Sequence, residues 1–68
     1  MGNVFSERLK MLRNERQIGQ IQLAKEIDAG KSTVSQWETG QCEPTLSKLV
    51  ALSKYFGVSI DYLAGLED

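Results

Sequence analysis

The part of this sequence best suited to recognising a partner is the polar run K-S-T-V-S-Q-W-E-T-G, which begins at Lys31. Lys31 donates hydrogen bonds, while the hydroxyl of Ser32 and the amide of Gln36 can both donate and accept them. Val34 and Trp37 are the large apolar residues of the run, and their spacing places them on one face of a helix. A helix with only two apolar anchors directs its polar side chains outward. The run therefore predicts a recognition surface that acts through hydrogen bonds.

The residue types present argue against catalysis and against a metal site. The chain has no histidine, and its single cysteine, Cys42, has neither a histidine base nor a second thiol to act with. The sequence contains no glycine-rich phosphate loop and no cluster of metal-ligand residues. We therefore expect a protein that is not an enzyme and that needs no cofactor, metal or small-molecule ligand in this domain.

A second helical pattern precedes the polar run, and three residues, 28–30 (Asp-Ala-Gly), separate the two. Leu23, Ala24 and Ile27 share one face of this earlier helix. Two helices joined by so tight a turn form the helix-turn-helix arrangement. Its second helix can enter the major groove of DNA, so residues 20–40 predict a DNA-reading element.

A first helix is predicted before this element. Phe5, Leu9 and Leu12 recur at helical spacing, and the helix should end near Gln17 because Gly19 interrupts the pattern. Three arginines fall off the apolar stripe and are expected on the solvated face of this helix: Arg8, Arg13 and Arg16.

Two short helices are predicted after the polar run. Thr45 is a suitable N-cap for the fourth helix, whose inward face is expected to begin at Leu46 and which Gly57 should end. Ser59 can cap the fifth helix, over 60–64. The whole chain, 1–68, is therefore expected to form one compact, all-α domain of five helices. The apolar side chains expected in its core are Phe5, Leu9, Leu12, Leu23, Ile27, Val34, Trp37, Leu49, Leu52, Phe56, Val58, Ile60 and Leu63.

The charge distribution permits nucleic-acid binding without strongly favouring it. The chain has a net charge of −1 and a pI of about 5.3. Residues 1–41 hold six basic and five acidic groups, whereas residues 42–68 hold two basic and four acidic groups. No apolar run approaches the roughly 18 residues of a membrane-spanning helix. There is no secretion signal pattern, so the expected location is the cytoplasm.

Longer motifs extend the interpretation over nearly the whole chain. L-A-K-E-I precedes the three-residue break, V-S-Q-W-E-T-G ends the polar run, and G-V-S-I-D-Y-L leads into the fifth helix. Together they resemble the lambda repressor/Cro-like (XRE-type) helix-turn-helix family over about residues 5–65. The resemblance implies a lambda repressor-like DNA-binding domain and a prokaryotic or phage-encoded transcriptional regulator. Such a regulator is most often a repressor that binds a near-palindromic operator in double-stranded DNA as a homodimer.

The resemblance places the base contacts on the second helix of the motif. Lys31, Ser32 and Gln36 match the positions that reach base edges, and Thr33 lies close to the DNA backbone or to a thymine methyl group. The chemistry is compatible, because glutamine pairs bidentately with adenine and lysine reaches guanine O6 and N7.

The resemblance also implies phosphate contacts at both ends of the motif. Gln20 matches a position whose amide contacts a phosphate and braces the recognition helix. Thr39, Gly40 and Gln41 match a loop whose backbone N–H groups meet phosphate. Arg13 is expected near a phosphate as well.

Three residues are implied to hold the motif together. Arg13 is expected to bridge to Glu38, the alternative being two ordinary surface charges worth about 0–1 kcal/mol. Trp37 is expected to be the largest buried side chain, so that its truncation would cost about 3–5 kcal/mol.

The break between the two helices departs from the family pattern of glycine, a medium apolar residue and then serine or threonine. Asp28 therefore occupies a left-handed position, and its charge could repel phosphate. Gly30 removes the hydroxyl cap of the recognition helix, and Gly19 does the same for the second helix, predicted over 20–27. These departures are expected to affect DNA affinity and stability rather than to change the fold.

The sequence leaves three alternatives open. Ile21 lies off the inward face, where it packs against another helix, is simply exposed, or contacts a DNA sugar or thymine methyl. The domain could also keep this fold as a protein-interaction module that does not read DNA, which the acidic pI and Asp28 favour. The dimer contact is implied either near residues 45–46 or in the tail, 62–66.

Overall fold

The computed structural model describes residues 2–67 as five helices joined by short turns, so the predicted all-α fold is confirmed. The elements are α1 (Gly2–Glu15), α2 (Gln20–Glu26), α3 (Lys31–Thr39), α4 (Leu46–Phe56) and α5 (Ile60–Ala64). Met1 and Asp68, the two ends of the predicted domain, lie outside the described residues. Within the described part, none of the helices has the length and apolar character needed to cross a membrane.

The helices surround one apolar core, which α1, α2, α3, α4 and α5 all enter. Eleven buried apolar side chains form it among the described residues: Phe5, Leu9, Leu23, Ala24, Ile27, Val34, Trp37, Leu49, Leu52, Phe56 and Leu63. Leu12, Val58 and Ile60 were also predicted in the core, but they are only partly buried at its edge. Leu46 is 70% exposed, so the prediction that it faces inward is wrong. It is the first residue of α4, and the buried face begins almost one turn later, at Leu49.

α1 ends for a different reason from the one predicted. Gln17 adopts a left-handed conformation with φ of 57°. This conformation lets the N–H of Ile18 donate to the carbonyl of Arg13, which closes the end of the helix. Gly19 has an extended backbone and is the N-cap of α2, where it supplies no side-chain hydrogen bond. The stop signal is therefore Gln17, and Gly19 acts only on the next helix.

Arg8 in α1 and Arg16, just beyond its end, donate hydrogen bonds to other helices, although Arg16 itself remains exposed. Arg8 donates to the carbonyl of Tyr62 in α5 and stacks over its ring, 4.3 Å from the centroid. Arg16 donates to the carbonyls of Tyr55 and Phe56, each at 3.2 Å. Carbonyls at the end of a helix lack an intrahelical partner, and they attract long cationic side chains from neighbouring elements. Arg8 and Arg13 are only partly exposed, so the predicted solvated face is wrong for these two, whereas Arg16 is exposed as predicted.

The turn between α2 and α3 is stabilised from α4. Asp28 has φ of 57°, which confirms the left-handed conformation expected at this position. The ammonium of Lys48 donates to the carbonyl of Ile27 at 3.2 Å and to that of Asp28 at 2.6 Å. Gly30 then begins α3 as an extended N-cap without a side-chain hydrogen bond, as predicted. Lys48 therefore compensates for a turn whose own residues provide no hydroxyl cap.

Candidate nucleic-acid interface

α3 is anchored by the two apolar residues that its sequence offers. Val34 is fully buried, and Trp37 is 2% exposed. The ring of Trp37 meets that of Phe5 edge to face, with centroids 6.2 Å apart. The hydroxyl of Ser6 donates to the carbonyl of Trp37 at 2.6 Å, which joins α1 to the backbone of α3. Trp37 therefore fixes α3 against α1, as its predicted place in the core requires.

A buried carboxylate connects the first three helices. Glu38 in α3 is 5% exposed. Its Oε2 accepts from Nε of Arg13 at 2.6 Å, and its Oε1 accepts from Nη2 of Arg13 and from Nε2 of Gln20, both at 3.0 Å. Nη1 of Arg13 donates in turn to the carbonyl of Ile18 at 2.9 Å. The expected Arg13–Glu38 bridge is present, and Gln20 braces α3 through the same carboxylate.

Arg13 and Glu38 form a charge pair that is largely removed from water. The side chain of Arg13 is 15% exposed and that of Glu38 is 3% exposed. The hydrogen bond to Glu38 raises the pKa of the Arg13 guanidinium above its ordinary value, and although burial acts in the opposite sense, the attraction of the Glu38 charge adds to the increase. The Arg13 guanidinium therefore remains charged throughout the pH range in which proteins are handled.

The outer face of α3 carries the polar side chains singled out in the sequence. Lys31, Ser32 and Gln36 are exposed, while Thr33 and Ser35 are partly buried. A hollow of about 410 Å³ lies between this face and the start of α2, and it is lined by Gln20, Ile21, Lys31, Ser32, Ser35 and Gln36. The structure therefore brings Gln20 and three of the four predicted base-contacting residues to one surface. Thr33 does not line the hollow.

A second hollow, of about 540 Å³, is lined by residues of α1 alone: Glu7, Lys10, Met11, Asn14 and Glu15. It contains none of the predicted site residues, and its groups do not converge from different elements. The hollow beside α3 is smaller, but it combines donors and acceptors from two helices. The α3 hollow is therefore the better candidate for a recognition site.

The loop after α3 does not present its backbone as predicted. The N–H of Gly40 donates to the carbonyl of Trp37 at 3.3 Å, and that of Gln41 donates to the carbonyl of Gln36 at 2.9 Å. Gly40 makes this arrangement possible because it is left-handed, with φ of 81°. These two N–H groups close the end of α3 and are already engaged. The side chains of Thr39 and Gln41 are exposed, but the hydroxyl of Thr39 already donates to the carbonyl of Gln36 at 3.2 Å.

Cys42 is a neighbour of the site that sequence reasoning did not connect to it. Its thiol donates to Oε1 of Gln36 at 3.7 Å. This contact leaves the amide nitrogen of Gln36 directed away from the thiol. No spacing rule would have revealed the contact, because it depends on how the loop turns back at Gly40.

Comparisons with known proteins agree with this geometry. A family model described as helix-turn-helix matches residues 9–63. The "HTH-type transcriptional activator BcrR" of Enterococcus faecalis is 36% identical over 64 residues, which are 94% of this chain and 31% of that protein. "Repressor protein C2" of Salmonella phage P22 is 37% identical over 60 residues, which are 88% of this chain and 28% of that protein.

A solved structure of the P22 c2 repressor in complex with a synthetic operator is also similar. It superimposes with a TM-score of 0.84 at 37% identity, over 88% of this chain and 91% of that one. The chain thus spans about a third or less of the full length of the two curated relatives, at 31% and 28%. Because the family match covers most of the chain, this protein belongs to the lambda repressor/Cro-like (XRE-type) family of helix-turn-helix proteins, which are DNA-binding transcriptional regulators and not a class of enzymes.

Proposed function

We propose that this chain binds double-stranded DNA in a sequence-specific manner and regulates transcription by placing α3 in the major groove. The observation that carries the proposal is the exposed polar face of α3, on a helix that Glu38 and Trp37 hold to its neighbours. The P22 c2 repressor, which has been solved on a synthetic operator, supports it by its similarity. We place this activity in the cytoplasm of a bacterium, where chromosomal and phage DNA are accessible.

The base contacts are assigned to the outer face of α3. Gln36 can pair bidentately with adenine, Lys31 can donate to guanine O6 and N7, and Ser32 can donate or accept. Thr33 is partly buried, so its methyl group and hydroxyl are assigned to the DNA backbone or to a thymine at the edge of the contact. Each bidentate pair supplies about 1–3 kcal/mol of discrimination against a wrong base.

The phosphate contacts are assigned to side chains around this face. Gln20 uses its amide nitrogen for Glu38, which leaves a second N–H of the same group for a phosphate. Gln41 offers an exposed amide just beyond the end of α3. Thr39 is the last residue of α3, and its hydroxyl would have to leave the carbonyl of Gln36, to which it donates at 3.2 Å, in order to donate to a phosphate. Arg13 already donates through all three of its nitrogens within the chain, so its main role is to position α3.

Repression of a promoter that overlaps the operator is the proposed regulatory outcome. The similar proteins include both an activator and repressors, so this part of the proposal rests on the commonest action of the family. A protein-interaction module with the same fold is the alternative. The net charge of −1 favours that alternative.

Selection from random duplexes tests the proposed function. At low salt, the wild-type chain is expected to enrich one sequence family with two related half-sites. Because phosphate contacts alone would bind any duplex, the control is a scrambled duplex of the same length and composition. If no duplex is enriched, and a pull-down yields a protein partner instead, the interaction module becomes the better account.

A homodimer is proposed to bind the two half-sites. Leu46 is 70% exposed and Leu66 is 78% exposed, so both are available to a second copy. Sedimentation on an enriched duplex is expected to show two chains per duplex, with half-sites about 34 Å apart. Binding of a single chain at all concentrations, with one half-site protected, would rule the dimer out.

A further inference from the structure

Ile21 is a large apolar residue exposed beside the polar face of α3. Its side chain is 52% exposed, and it forms part of the wall of the α3 hollow. The other large exposed apolar residues of the described chain are Val4, Met11, Leu46 and Leu66, none of which lines this hollow. Ile21 is therefore the apolar element of a surface otherwise made of amide, hydroxyl and ammonium groups.

Packing within the domain does not account for Ile21. The inward face of α2 consists of Leu23 and Ala24, followed by the capping residue Ile27, and all three are buried. Ile21 lies to the side of that face, in the first turn of α2. Exposing apolar surface to water costs free energy, and this cost is recovered only when a ligand covers the surface with apolar atoms.

The major groove of DNA offers one apolar group at the base edges, the C5 methyl of thymine. The α3 hollow places Ile21 beside Lys31, Ser32 and Gln36, the residues assigned to those edges. A thymine next to a base read by α3 would bring its methyl group toward this wall. An aliphatic side chain contributes there by burying that methyl group, whereas a polar side chain would not.

We propose that Ile21 is a specificity-determining residue that contacts a thymine methyl group in each half-site. The inference rests on the proposed function, since it requires α3 to lie in the major groove. It extends the site from α3 to α2. It also predicts that part of the sequence preference is apolar and independent of hydrogen bonds.

Replacement of single thymines by deoxyuridine tests the inference, because it removes only the methyl group. For the wild-type chain, one such replacement in a single half-site of the enriched duplex is expected to weaken binding about three- to fivefold, as expected for one buried methyl group. For Ile21→Ala, the same replacement is expected to change affinity by less than about 1.5-fold. Affinities are measured by fluorescence anisotropy on duplexes that differ at single positions.

Two further variants and one measurement of stability make the result decisive. Met11→Ala removes another exposed apolar side chain, away from the α3 hollow, and should keep the full deoxyuridine effect. Thr33→Ser removes the methyl group of the rival thymine contact assigned above, and at the thymine assigned to Ile21 the deoxyuridine effect should persist in this variant. Thermal unfolding of Ile21→Ala should match the wild type, because the side chain is half exposed and alanine favours a helix.

Several outcomes overturn the inference. They are the absence of any deoxyuridine effect on the wild type, an effect that survives in Ile21→Ala, and an effect that disappears in Thr33→Ser instead. Loss of a protein partner by Ile21→Ala, with unchanged DNA binding, would assign the residue to a protein contact. If the wild type enriches no duplex at all, the proposed function fails first and this inference fails with it.

Discussion

Trp37→Ala is expected to lower the free energy of unfolding by about 3–5 kcal/mol, because it removes the largest buried side chain of the core. The loss includes the edge-to-face contact with Phe5. In a domain of this size, such a change corresponds to a decrease in Tm of very roughly 15–30 °C. Urea unfolding followed by circular dichroism measures it directly, and DNA binding should be lost together with the fold.

Met11→Ala is the matched control for Trp37→Ala. Met11 belongs to α1 and is 45% exposed, so its truncation should change stability by less than about 0.5 kcal/mol. Trp37→Phe should lie between the two, because it keeps an aromatic ring but leaves part of the site empty. A Trp37→Ala variant with wild-type stability would show that α3 is not anchored through this residue.

Arg13→Met is expected to cost about 3–5 kcal/mol, because it leaves the carboxylate of Glu38 buried without its cation. Gln20 would then be the remaining side-chain donor to that carboxylate. Arg13→Lys keeps the charge but loses the bidentate geometry, so it should lower the free energy of unfolding by less than Arg13→Met does. Trp37 is the only tryptophan of the chain, and its fluorescence reports unfolding of these variants in urea.

A double-mutant cycle separates the interaction energy of Arg13 with Glu38 from the contribution of the surrounding packing. Arg13→Met combined with Glu38→Leu removes both charges, and the double variant should recover a large part of the stability lost in Arg13→Met. We expect a coupling energy of about 2 kcal/mol or more. A value below about 0.5 kcal/mol would be typical of two exposed charges and would contradict the buried role of Glu38.

The internal use of arginines has a consequence for DNA binding. Arg13 is paired with the carboxylate of Glu38, whereas Arg8 and Arg16 keep their charge but donate to backbone carbonyls, which restricts their reach toward phosphate. The net charge of −1 acts in the same direction. Because phosphate contacts determine the salt dependence of binding, that dependence should be shallow. Affinity must then come to a large extent from base contacts made by α3.

Most of the fold was predictable because local signals agreed with one another. Apolar spacing identified α1 and α4, hydroxyl caps at Thr45 and Ser59 were found where expected, and the left-handed Asp28 followed from its place in the break. The polar face of α3 was predictable for the same reason, since two apolar anchors leave the other positions outward. These features depend on neighbours within one or two turns.

The features that were missed depend on contacts between distant segments. Ser6 donates to the carbonyl of Trp37, and Lys48 donates to those of Ile27 and Asp28. A side chain that donates to a backbone carbonyl elsewhere in the fold leaves no periodic pattern in the sequence. The prediction for the backbone of Gly40 and Gln41 failed in a related way, because a left-handed glycine let these N–H groups close the helix.

The base preference of Gln36→Ala, measured by selection from random duplexes beside the wild type, tests most directly whether α3 reads DNA sequence. We predict that the variant loses its preference, worth about 1–3 kcal/mol, at one base pair of each half-site and keeps it at the others. Gln41→Ala, the control beyond α3, should weaken binding to all duplexes alike. An unchanged preference at every position for Gln36→Ala, or no enriched duplex for the wild type, would contradict the account.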